Sequence, residues 1–66
     1  MAPTYEVQVG KVARLSNADR ATACRLADAV TGRSPGTARY LLGKRDSVFV
    51  AGRGGKHSAT VRRVVA

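Results

Sequence analysis

Tryptophan is absent from this chain, and cysteine, histidine and methionine occur once each. One thiol, Cys24, cannot close an internal disulfide, and one imidazole, His57, has no Cys, His or carboxylate neighbours at metal-ligand spacing. No metal or other cofactor is therefore expected. Carboxylates are scarce as well. Glu6, Asp19, Asp28 and Asp46 form no acid/base pair, no Ser, His and Asp set is visible, and no glycine loop leads into a helix as a phosphate-binding loop does. The chain is expected not to be an enzyme. No apolar run approaches the roughly 20 residues that cross a bilayer. The start Met1-Ala2-Pro3-Thr4 lacks the basic and apolar regions of a signal peptide. The expectation is a cytoplasmic protein without a membrane partner, where a lone reduced thiol is ordinary. Sixty-six residues make a single domain, 1–66, with a thin core. With disulfide and metal staples discounted, a homodimer is left open as a source of stability.

What the chain does have is positive charge. Twelve Lys and Arg against four Asp and Glu give +8. Residues 1–32 hold Lys11, Arg14, Arg20 and Arg25 against Glu6, Asp19 and Asp28, or 4 − 3 = +1. Residues 33–66 hold Arg33, Arg39, Lys44, Arg45, Arg53, Lys56, Arg62 and Arg63 against Asp46, or 8 − 1 = +7. Charge of one sign repels itself, so a polyanionic partner is its natural reason; the competing account is a surface kept soluble by net charge.

Hydropathy patterning divides the chain into five segments. Thr4 to Val9 alternates strictly, with Tyr5, Val7 and Val9 on one face, and predicts a strand that begins at residue 3; Gly10 is either a bulge or its end, and residues 11–15 either continue it to 15 with shifted phase or lie beyond it. Ser16-Asn17 reads as a helix N-cap. Asp19 suits the first turn, and Ala23, Leu26, Ala27 and Val30 follow helical spacing, which predicts a helix over 17–31 that Gly32 ends. Arg20, Arg25 and Asp28 fall on its wet side. Ser34 then caps and Pro35 opens a second helix, 35–43, with Ala38, Leu41 and Leu42 buried and Gly43 closing it. Residues 47–65 read as a β-hairpin around the glycine-rich, basic loop 52–58. The predicted fold class is α+β: strand-helix-helix-strand-strand, a three-stranded antiparallel sheet with two helices on one face.

The run Gly32-Arg33-Ser34-Pro35-Gly36-Thr37-Ala38-Arg39-Tyr40-Leu41-Leu42 resembles the turn and recognition helix of helix-turn-helix regulators. Val48 to Arg62, around Gly52-Arg53-Gly54-Gly55-Lys56-His57-Ser58, looks like the wing of winged helix domains. Together these imply a winged-helix-like protein that binds duplex DNA. The resemblance places helix 35–43 in the major groove through Gly36, Thr37, Arg39 and Tyr40, and lets amides near Ser34 and Gly36 approach a phosphate. Arg53 and Lys56, beside His57, reach a neighbouring groove or backbone, while Arg33, Lys44, Arg45, Arg62 and Arg63 neutralise phosphates. Transcription control and phage or other recombination are the processes it suggests. One departure is Asp28, where the family has a small residue four positions before the turn glycine.

A second resemblance competes. Tyr5-Glu6-Val7-Gln8-Val9, Val30-Thr31-Gly32, then Ser34, Ala38, Arg39, Leu41 and Leu42 look like the C-terminal domain of the ribosomal stalk protein. It implies a protein partner on the outer faces of two nearly antiparallel helices, whereas helix-turn-helix pairs cross at about 90–120°. The glycine loop where that family has a third helix, and the basic charge, depart from it. RNA or ribosome binding is a third option. Only Tyr5, Tyr40 and Phe49 are aromatic, so stacking on single strands looks poorly supplied.

Overall fold

Strict alternation makes the first strand, β1, Thr4–Val9, whose Tyr5, Val7 and Val9 are buried. The computed structural model describes residues 3–64. Met1, Ala2, Val65 and Ala66 lie outside the described residues, and with them the last residue of the expected hairpin 47–65.

Of the two alternatives beyond Val9, the strand ends at Gly10. Residues 11–15 do not prolong the first strand. Gly10 takes a left-handed φ of 51°, Val12 N–H donates to the Val9 carbonyl at 3.0 Å, and the chain returns as β2, Ala13–Ala18. β2 pairs antiparallel with β1, Leu15 opposite Val7, with a bulge before Ala18 meets Tyr5. Asn17 sits at φ 59°, a left-handed conformation that asparagine tolerates better than most side chains. It therefore belongs to the bulged strand and is not a helix cap. The sheet has four strands, not three, in the order β2-β1-β4-β3, with β3 Ser47–Val50 and β4 Ala59–Val64. All neighbours are antiparallel, and the α+β class stands.

The first helix, α1, is Arg20–Thr31 and starts later than the expected 17. Asp19 is its N-cap and accepts from Thr22 N–H at 2.7 Å. Gly32 ends it at φ 72°, as its position promised. Ala23, Cys24 and Ala27 face the sheet, and their small size lets the helix lie close to Val7 and Val61. Burial pushes the Cys24 thiol up, despite the opposing charges of Arg20 and Arg39, so it stays protonated and unreactive at neutral pH.

The second helix, α2, is Thr37–Leu42, shorter than the expected 35–43. Ser34 does not cap it. Gly36 holds the cap position with no side-chain bond of its own. The cap comes from α1: Asp28, expected on the wet side, is 4% exposed and accepts from Gly36 N–H at 2.9 Å and Ala38 N–H at 2.7 Å. A buried carboxylate on the positive end of a helix has both its oxygens satisfied and its charge complemented. Ala38 and Leu42 are buried, but Leu41, expected beside them, is not. At the far end of α2, Arg20 of α1 donates to the Gly43 carbonyl. Residues 20–28 and 36–43 each span about 10–12 Å at 1.5 Å rise per residue. Both ties together bring the end of α2 back toward the start of α1.

Both helices cover one face of the sheet and share one core with Tyr5, Val7, Val9, Val50, Ala59 and Val61. The other face is open and carries Glu6 between Arg14 and Arg62, each 3.6 Å away. The hydrogen bonds from Thr22 hold the Asp19 carboxyl below the ordinary carboxylate value. Its folded-state value lies below its unfolded one, so its stabilisation is present above about pH 4 and is lost as the pH falls through the folded value. An Asp19→Asn variant keeps the cap without the titration. Urea midpoints at pH 5 and pH 2 are expected to fall less for D19N than for the parent chain; equal falls would show that the cap does not contribute to acid unfolding.

Candidate nucleic-acid interface

Three connections meet at one end of the sheet. The β1–β2 turn joins β4 there, Gly10 N–H donating to the Ser58 carbonyl at 3.0 Å. The β3–β4 loop folds back onto the end of α1, Arg53 N–H donating to the Thr31 carbonyl at 2.9 Å. The link between the helices is tied to the same loop by Arg33, whose Nε donates to the Ala51 carbonyl at 3.0 Å. A Cβ on Gly32 would stand 3.1 Å from Lys56 Cγ, and one on Gly10 3.6 Å from His57 Nδ1.

The loop is built rather than loose. Gly52 N–H donates to Ser58 Oγ at 2.9 Å, and Lys56 N–H to the Arg53 carbonyl at 3.2 Å. Gly54 and Gly55 turn the tip at φ 61° and 83°, which other residues rarely adopt. Gly52 is required for a different reason. A Cβ there would collide with the Lys56 carbonyl oxygen and stand 2.7 Å from the His57 carbonyl carbon.

These contacts bring Lys11, Arg33, Arg53, Lys56 and His57 to one end of the molecule, all exposed except the half-buried Arg33. Among the described residues no exposed carboxylate shares that end. Glu6 lies on the open sheet face, Asp19 starts α1, Asp28 is buried, and Asp46 precedes β3 and pairs with Arg63 at 3.6 Å. Unopposed cations on a glycine-rich loop form a surface on which an anion can sit close to the backbone.

The other expected site residues are not gathered here. Lys44, Arg45 and Arg63 belong to the opposite end of the sheet, around Asp46. Arg62 is on the open face beside Glu6. Arg39 is exposed on α2, next to Arg20 and Ala21 of α1, and Tyr40 is 85% exposed. Thr37 is half-buried, and Ser34 and Gly36 are exposed. The amides near Ser34 and Gly36 do not form the expected phosphate cradle, because the Asp28 carboxylate already occupies Gly36 N–H and Ala38 N–H. The contribution missed from sequence is Lys11. Its signal, a lone lysine after a glycine, means nothing until the turn at 10–12 is known to abut the basic loop.

Compared with known protein families, with curated proteins and with solved structures, the chain returns no match. Among the described residues no helix is long and apolar enough to cross a membrane.

Proposed function

We propose that this protein binds nucleic acid, with duplex DNA as the ligand and backbone phosphates as the groups contacted by Lys11, Arg33, Arg53 and Lys56. The observation that supports this best is the carboxylate-free cluster of cations on three connections tied together at one end of the sheet. Each phosphate neutralised releases counterions, which rewards a compact set of cations whatever the base sequence. The small tip at Gly54 and Gly55 lets the loop approach a groove or a backbone closely. The finer form, a winged helix-turn-helix with Gly36, Thr37, Arg39 and Tyr40 in the major groove, would add the exposed face of α2 to this contact; the loop end is taken as the primary contact because its cations are gathered there.

Four phosphate contacts predict that log affinity falls with log salt at a slope near about −3.6, at 0.9 per phosphate. Replacing Arg53 and Lys56 with glutamate is expected to weaken duplex binding at low salt and to flatten that slope by about 2. The measurement is a titration of parent and variant with duplex DNA, duplex RNA and single strands at two salt concentrations. Unchanged duplex affinity in the R53E/K56E variant would remove the loop from the interface.

The groove between the two helices favours a second reading, a protein-interaction module using their outer faces near Arg25 and Arg39. The same titration separates the two. Absence of binding to every nucleic acid at low salt leaves the protein-partner reading alone.

A further inference from the structure

Of the three aromatic residues, Tyr5 is buried in the core, while Tyr40 and Phe49 are 85% and 65% exposed. The two exposed rings are not scattered. Tyr40 on α2 and Phe49 on β3 line one open groove that wraps around the edge of β3, together with Leu41, Lys44, Arg45 and Thr60. β3 is the last strand of the sheet, so no further strand covers this edge. Contiguous exposed apolar surface of this kind marks a binding site more often than single exposed residues do.

We propose that this groove binds single-stranded nucleic acid, with unpaired bases stacking on Tyr40 and Phe49 and the backbone held by Lys44 and Arg45. Bases of any sequence offer a flat face to an aromatic ring, and flanking cations track the phosphates. Charge complementarity excludes a second copy of the chain as the better occupant, since Lys44 and Arg45 would meet their like across the contact in a protein of net charge +8. An acidic peptide adding to the edge of β3 satisfies the charge but finds little backbone. The register turns the backbone of Val48 and Val50 toward β4, as Arg63 N–H donating to the Asp46 carbonyl fixes, and leaves only Ser47 and Phe49 facing outward. The site goes beyond the duplex contact and stands apart from it, because Lys44 and Arg45 lie at the other end of β3 from loop 52–58.

The test compares an oligothymidine of about ten nucleotides with an abasic strand of the same length and charge. The parent chain is expected to prefer the strand with bases by about tenfold or more. Tyr40→Ala with Phe49→Ala is expected to abolish that preference while duplex binding through the loop persists; R53E/K56E is expected to do the reverse. Tyrosine emission gives a second readout. The chain has no tryptophan, so in a Tyr5→Phe background Tyr40 is the sole emitter of its kind, and stacking is expected to quench it. Equal affinity for the two strands, or emission unmoved at saturation, overturns the proposal. So does an acidic peptide that binds more tightly than the oligonucleotide, which would assign the groove to a protein partner.

Discussion

Asp28→Ala is expected to destabilise the fold by about 3 kcal/mol, from two charge-assisted hydrogen bonds lost in a buried setting. Ala38 N–H is buried and Gly36 N–H partly so, and both donate to this one side chain. Alanine leaves both amides without an acceptor and removes the negative charge at the positive end of α2. A chain of 66 residues has a total stability of only about 3–10 kcal/mol, so the loss is a large share of it. In a domain of this size each kcal/mol moves the melting temperature by about 4–8 °C, giving an expected fall of about 12–24 °C. Asp28→Asn retains one acceptor oxygen and sets an amide N–H against the other donor, so its melting point is expected to lie between those of D28A and the parent. Thermal unfolding of the three chains checks the order. A D28A variant within about 1 kcal/mol of the parent would mean that α2 does not depend on this cap.

Gly52→Ala is expected to act on both stability and binding. Its Cβ has no position that avoids the Lys56 carbonyl oxygen, and that atom is backbone, so no rotamer change relieves the contact. The loop must open, which breaks the Gly52 N–H bond to Ser58 and loosens the Arg53 bond to the end of α1. A cost of about 3 kcal/mol, the upper end for overpacking, is expected. Arg53 and Lys56 then lose their fixed place beside Arg33 and Lys11, and duplex affinity should drop although no charge has changed. Gly54→Ala is the matched comparison. A Cβ there meets nothing within 4 Å, so only the strain of its φ of 61° is added. If G52A and G54A melt together and bind alike, loop 52–58 is not the built element described above.

The contrast between β1 and β2 shows what a short sequence discloses. β1 is legible because three large apolar residues alternate with polar ones. β2, Ala-Arg-Leu-Ser-Asn-Ala, sits at a sheet edge and buries only Ala18, with Leu15 half-buried, so its pattern is nearly silent. The hairpin around loop 52–58 could be read from its β-branched runs and glycines. The start of α2 could not, because Ser34-Pro35 is a sound local signal overruled by a carboxylate from the preceding helix. A helix wheel puts Asp28 one turn after buried Cys24, on the same stripe; its charge is what argued for water, and burial became tolerable only through partners on another element.

The candidate interface was legible in type and not in membership. The excess of cations over carboxylates is visible in the composition, but membership of the cluster at the loop end does not follow the two halves of the chain. Each strand carries the backbone from one end of the sheet to the other, so Arg53 and Arg62, neighbours on one hairpin, finish at different ends. Lys11, from the nearly neutral half, joins the loop cluster for the same reason. Tyr40 and Phe49, on separate elements, share a groove that neither segment announces.

The strand order places β1 and β4 side by side at the centre of the sheet, Val7 opposite Val61. Its middle is thus assembled from the first and the last of the described strands. A nascent chain that has emerged as far as β3 still lacks the strand to which both β1 and β3 must bond. Its helices and hairpin have no frame to dock on, and a ribosome stalled before residue 59 would display an unfolded polypeptide. Folding of this domain is therefore expected to wait until residues 59–64 have emerged, because β1 and β3 share no bonds without them.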